Sequence, residues 1–83
     1  MDNHSHRFVE EYSGLVGFGL DREVNGYTLT CYLQSFSDDR LMAIMRDRMS
    51  DSDMEALFNM LGRLLKTYLK DEEYHQYFLK EKE

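Results

Sequence analysis

The feature that most constrains the fold is a helical pattern of apolar residues in the second half of the chain. Between positions 54 and 69 the apolar residues follow one another at steps of three or one, which is the spacing of one helix face over about four turns. They are Met54, Leu57, Phe58, Leu61, Leu64, Leu65, Tyr68 and Leu69. Because an apolar face is normally buried, we expect this apolar stripe to organise the molecule and the remaining segments to cover it.

Charge and capping signals mark the two ends of this helix. Ser50 stands three residues before Asp53, a spacing that resembles a capping box. Acidic residues gather at this end and basic residues, among them Lys66 and Lys70, at the other, which matches the helix dipole. The pattern predicts a helix over roughly residues 52–69.

Three shorter segments also have helical spacing. Ser37-Asp38-Asp39 supplies an N-cap and an acidic first turn before the apolar series that starts at Leu41. A last helix is expected to begin at Asp71-Glu72-Glu73. One face of that helix presents Tyr74, Tyr77 and Phe78. Near the start, Phe8, Tyr12 and Leu15 predict a short helix that ends in the glycines.

The stretch YTLTCYLQSF, residues 27–36, is open to two interpretations. Its apolar and polar residues alternate as in a strand, and the preceding Asn25-Gly26 is a strong hairpin signal. Leu29, Tyr32, Leu33 and Phe36 also fit helical spacing. An isolated two-stranded hairpin is weak in water. We therefore expect an all-α fold, a compact bundle of three to four helices, with an α+β fold carrying a short hairpin near residues 15–34 as the alternative.

The segment GLVGFGLDREVNG, residues 14–26, holds four of the five glycines and raises the question of a phosphate-binding loop. A P-loop requires a lysine after its last glycine, but Leu20 follows Gly19. A dinucleotide-binding fingerprint requires a third glycine where Arg22 stands. The GXXG of KH domains is matched by GLVG, but its middle residues are apolar and the acidic chain is wrong for RNA. We interpret the glycines as a bend.

Composition excludes several classes of protein. Ten basic and sixteen acidic residues give a formal charge of −6, which repels nucleic acid and anionic membranes. No apolar run reaches the roughly 18–20 residues of a membrane span, and the first residues lack the pattern of a signal peptide. A single cysteine, Cys31, rules out an internal disulfide and fits the reducing cytoplasm. We expect one cytoplasmic domain over residues 1–83, with residues 1–6 frayed.

Metal binding and catalysis are the alternatives that the side chains leave open. His4, His6, Cys31 and His75 are of metal-ligating types, but no two of them have the spacing of a zinc site. An enzyme would use Cys31 or a serine beside His75, an adjacency that one sequence does not show. We therefore expect no metal, no cofactor and no catalytic residue, and favour a non-catalytic protein over a metal-binding protein or a small enzyme.

Spare apolar positions favour a binding role. Six methionines are many for 83 residues, and methionine adapts to varied partners when it is exposed. Met42 and Met60 depart from the helical stripes, and the last helix adds an aromatic face. The candidate binding residues are Met42, Met60, Tyr74, Tyr77 and Phe78. We expect a protein–protein interaction or regulatory module that binds a protein partner or forms a homodimer, with no nucleic-acid or membrane partner.

Three segments of the chain, GLVGFGLDREV, YLQSFSDDRLM and EEYHQYF, together resemble small bacterial cytoplasmic proteins of uncharacterised function. The resemblance extends over most of the chain. It implies a bacterial, intracellular, stand-alone small protein, and it carries over no activity, cofactor or catalytic residue.

Overall fold

The computed structural model describes residues 6–19 and 21–81, and the regular structure in these ranges is helical throughout. The elements are α1 (Phe8–Glu11), α2 (Arg22–Phe36), α3 (Asp39–Arg48), α4 (Asp51–Tyr68), α5 (Asp71–Glu73) and a π-helix (Tyr74–Phe78). The all-α prediction is confirmed, although α1 and α5 are only single turns. Contacts divide the chain into an N-terminal unit that ends at Arg48 and a C-terminal unit that begins at Met49.

Helix α2 replaces the alternative hairpin. Its N-cap is Asp21, whose carboxylate accepts a hydrogen bond from the Val24 N–H at 2.9 Å. This cap starts the helix upstream of Asn25-Gly26, so both residues lie within helical turns. The alternation of residues 27–34 is therefore a chance feature of a helix, and the hairpin near residues 15–34 is wrong within the described part of that range.

The glycine-rich segment is bound to the side of α2 by polar side chains. Thr28 Oγ1 accepts a hydrogen bond from the Gly17 N–H and donates one to the Gly17 carbonyl, both at 3.0 Å. Asn25 Oδ1 accepts a bond from the Gly19 N–H at 2.7 Å. Gly19 has a φ of +99°, a backbone conformation that residues other than glycine rarely adopt. The segment is a bend, as the sequence analysis concluded.

Helix α1 packs against α2 through an aromatic cluster. The rings of Phe8, Tyr12 and Tyr27 lie 5.1 to 5.6 Å apart, between centroids. Gln34 Oε1 also accepts a hydrogen bond from the Val9 N–H at 3.0 Å. A short helix is present near the start, as predicted, but it is a single turn that ends at Glu11, so Tyr12 and Leu15 lie beyond it.

The boundary between α2 and α3 follows the predicted capping residues. Ser37 donates a hydrogen bond to the Gln34 carbonyl at 2.7 Å and so closes α2. Asp38 then accepts a bond from the Leu41 N–H at 3.0 Å and caps the first turn of α3. The Ser37-Asp38-Asp39 sequence therefore ends one helix and starts the next.

Helix α4 is the longest element, at 18 residues. Ser50 Oγ accepts a hydrogen bond from the Asp53 N–H at 3.1 Å, which confirms the predicted N-cap. Leu69 has an extended backbone and follows the helix. Seven of the eight residues of the apolar stripe therefore lie on α4.

The helical conformation is interrupted at Leu69 and resumes at Asp71. Glu73 Oε1 accepts a hydrogen bond from the Lys70 N–H at 2.8 Å and so caps α5. The π-helix that follows is closed by a bond from the Leu79 N–H to the Tyr74 carbonyl at 3.0 Å. The predicted last helix thus exists, with a wider turn than an α-helix.

One expectation of the sequence analysis is wrong: the stripe is not buried. Among the described residues Thr28 is the one buried side chain, and none of the large apolar side chains is buried. The helices form from local capping and spacing, and the side chains of the apolar face of α4 are exposed or half-buried.

Candidate interaction surface

The surface with the clearest chemical character is the apolar side of α4, which we call the α4 face. It consists of Met54, Leu57, Phe58, Leu61, Leu64, Leu65 and Tyr68. Phe58 is 76% exposed and Tyr68 75%, while Met54, Leu57 and Leu61 are 38% to 46% exposed. Leu64 and Leu65 are half-buried. Isolated exposed apolar residues are ordinary, but a contiguous row of them typically marks a contact site.

Charged residues lie along one flank of this face. Glu55 and Lys66 are both exposed and are eleven residues apart, or about three turns, so they project to the same side of the helix. Within the ranges that the structure describes, the one ion pair joins His75 to Glu81. Glu55 and Lys66 therefore enter no ion pair there and are available to a partner.

A groove of about 540 Å³ runs beside the second half of α4. It is lined by Phe58, Asn59, Gly62, Arg63, Leu65, Lys66, Leu69, Asp71 and Tyr74. A Cβ built on Gly62 meets no atom within 4 Å, so the groove is open above this residue. The groove shares Phe58 and Leu65 with the α4 face, and its charged rim is continuous with the flank that carries Lys66.

The predicted binding residues are divided between the two units. Met42 lies on α3 in the N-terminal unit, whereas Met60 lies on α4 in the C-terminal unit and is 53% exposed. Tyr74 lines the groove and stacks on Phe78, with 5.3 Å between ring centroids. Tyr77 is 57% exposed. Of the five candidates, Tyr74 alone lines the groove beside α4.

The residues that the sequence analysis assigned to the core are the stronger candidates. Phe58 and Tyr68 are the most exposed members of the stripe, yet their spacing is the same as that of core residues. A second, smaller apolar face lies on α2 and is formed by Leu29, Tyr32, Leu33 and Phe36, which are 38% to 59% exposed. It has four residues where the α4 face has seven. The length of the apolar stripe on α4 was the sequence feature that could have identified this surface.

The side chains considered for metal binding or catalysis form no site in the described residues. No group of three or more His, Cys, Asp and Glu among them is arranged to hold a metal ion. His75 Nδ1 lies 2.9 Å from Glu81 Oε2, which occupies one of its ring nitrogens. Cys31 is half-buried on α2. His6 is exposed ahead of α1, and His4 lies outside the described residues.

Comparison with known proteins adds no assignment to this surface. No family model matches the chain, and neither a curated protein nor a solved structure matches it. None of the helices in residues 6–19 and 21–81 has the length and apolarity to cross a membrane.

Proposed function

We propose that this protein is a non-catalytic interaction or regulatory module of the bacterial cytoplasm, which binds a protein partner through the α4 face. The exposure of that face supports the proposal most strongly, since Phe58 and Tyr68 are each about three-quarters exposed. A helix with apolar residues at positions i, i+3, i+4 and i+7 is a recurrent form of peptide and helix recognition. Aromatic side chains are also enriched among the residues that contribute most to binding.

The area of the α4 face is large enough for binding. Its seven side chains leave roughly 600 Å² in contact with water, taking about 150–250 Å² for a whole aromatic side chain. The largest apolar patch on a typical monomer is about 300–600 Å². Burial at about 25 cal/mol per Å² amounts to ~15 kcal/mol, most of which the loss of freedom on association offsets.

The charge of the chain favours a protein as the partner. A formal charge of −6 opposes binding to nucleic acid and to anionic lipid. The groove beside the face carries both signs, with Arg63 and Lys66 against Asp71. A mixed polar rim around an apolar centre is the usual composition of a protein interface.

Photo-crosslinking in living bacteria tests the proposal. A benzophenone amino acid replaces Phe58 in one variant and the nearby Ala56 in another, because Ala56 is exposed on the other side of α4 and does not line the groove. We expect strong crosslinking to a protein from position 58 and weak crosslinking from position 56. Equal crosslinking from positions 58 and 56, or none from position 58, would overturn the proposed function.

A further inference from the structure

We propose that the groove beside the second half of α4 binds a short acidic segment of the partner protein, with a carboxylate of that segment between Arg63 and Lys66. This inference rests on the proposed function, because it names the chemistry of the partner. The placement of the two cations, the open position at Gly62 and the composition of the groove support it. All of the lining residues belong to the C-terminal unit.

The wall of the groove that α4 supplies is a single face of the helix. It is formed by Asn59, Gly62, Arg63 and Lys66, at positions i, i+3, i+4 and i+7. Arg63 and Lys66 are therefore neighbours on the helix surface, with about 5–6 Å between their Cβ atoms. Both side chains are exposed. One carboxylate between them can accept a hydrogen bond from each, and such charge-assisted bonds are stronger than neutral ones.

The two cations have no acidic neighbour on their own helix. No Asp or Glu occurs between residues 56 and 70, so none stands three or four positions from Arg63 or Lys66 within α4. Neither cation enters an ion pair in the part of the chain that the structure describes. Like charges at this spacing repel each other on a helix. A carboxylate from a partner would offset this repulsion, so the pair is complementary to an acidic group.

The charge of the groove is opposite in sign to that of the whole chain. Asp71 is the one acid among the described lining residues, against two cations, whereas the chain carries a formal charge of −6. Charges act over a Debye length of about 8 Å at physiological salt, so a short acidic segment responds mainly to the groove. A nucleic acid is a longer polyanion and would extend over the acidic remainder of the chain. The charge therefore favours a protein segment.

Gly62 gives a partner access to the backbone of α4. Its own backbone is helical, and a Cβ built on it meets no atom within 4 Å, so neither conformation nor packing calls for a glycine there. A glycine inside a helix costs up to ~1 kcal/mol relative to alanine, and it allows another group to approach the backbone closely. Phe58, Leu65 and Tyr74 line the groove as well, so apolar residues beside the carboxylate would also be covered.

Selection from a library of random peptides displayed on phage, with the full chain as the target, tests the proposal. We expect the enriched peptides to carry Asp or Glu next to apolar or aromatic residues. Arg63→Glu and Lys66→Glu should each weaken the binding of these peptides about tenfold, because a like-charge contact replaces an attractive one. Arg46→Glu, an equal charge change on α3 outside the groove, should leave the binding unchanged. Fluorescence anisotropy of labelled peptides measures the affinities.

Gly62→Ala tests whether the peptide approaches the backbone of α4. Alanine should stabilise the helix and yet weaken the binding of the enriched peptides several-fold, because its Cβ fills the gap. Gly26→Ala adds the same methyl group to α2 and should leave the binding unchanged. Equal effects of the two variants on binding would overturn the contact with Gly62.

The outcomes separate this inference from the proposed function. Enriched peptides that are neutral or basic, an absence of enrichment, or equal losses from the Arg63 and Arg46 variants would overturn the acidic segment as the occupant. Single-stranded DNA that competes as strongly as the peptides would overturn a protein as its source. If position 58 still crosslinks to a protein in cells, the proposed function stands without this assignment. Circular dichroism of each variant shows whether the helices remain folded.

Discussion

The two units of this protein are stabilised in different ways. In the N-terminal unit, short segments are attached to α2 by specific polar bonds, above all the reciprocal pair between Thr28 and Gly17. In the C-terminal unit, α4 is a long and regular helix with a good N-cap at Ser50, but its apolar face is exposed. Polar bonds and one cap can define backbone geometry without burying much apolar surface. The burial that stabilises α4 is therefore expected to come from a partner.

The comparison of the two units predicts the largest loss of stability for a substitution of Thr28. Thr28→Val keeps the shape of the side chain but removes both hydrogen bonds to Gly17, and an unpaired part-buried group costs ~1–3 kcal/mol. We expect a loss of about 2 kcal/mol in the N-terminal unit. Hydrogen exchange should show faster exchange in α2 and unchanged exchange in α4.

The control for that substitution is Thr30→Val. Thr30 donates its hydrogen bond to the Gly26 carbonyl of its own helix, so its removal leaves the glycine segment in place. We expect a clearly smaller effect than for Thr28. Equal losses from both variants would show that the bond between the glycine segment and α2 does not stabilise the unit.

Replacing one helical glycine in each unit by alanine should change the stability by an intermediate amount. A Cβ built on Gly26 of α2 or Gly62 of α4 meets no atom within 4 Å, so alanine fits at both sites. Each substitution should stabilise its helix by up to about 1 kcal/mol, because alanine is the better helix former. Thermal unfolding of dilute protein measures the gain. A loss of stability at Gly62 would show that another element already approaches this part of α4.

The smallest effect concerns Tyr27, whose hydroxyl donates a hydrogen bond to Glu23 at 2.9 Å. This bond, together with the negative charge of Glu23, raises the pKa of Tyr27 above its ordinary value. The folded state favours the neutral phenol of Tyr27. Its contribution to folding stability is therefore complete below pH ~10 and is lost as the pH rises through the raised pKa. Glu23→Gln should lower that pKa, as measured by NMR titration of the ring carbons. An unchanged pKa would contradict the assignment.

The helices could be predicted because their signals are local. The spacing from Met54 to Leu69 and the serine at position 50 are sufficient for α4, and the spacing of Leu29, Leu33 and Phe36 favoured α2 over the hairpin. The bond between Thr28 and Gly17 could not be predicted, because it joins residues eleven positions apart through the geometry of the bend. Nor could the exposure of Phe58, since a helix has the same apolar period whether its own chain or a partner covers it.

The central claim is that the α4 face is exposed in the purified protein and is covered by a protein partner. Hydroxyl-radical footprinting of the dilute purified protein and of the same protein inside its own cells tests it directly, with the exposed Tyr77, which lies off this face, as the internal reference. Phe58 and Tyr68 should be oxidised readily in the purified protein and protected in cells, while Tyr77 stays unchanged. Protection of Phe58 and Tyr68 already in the dilute purified protein, or equal oxidation in both settings, would contradict the account.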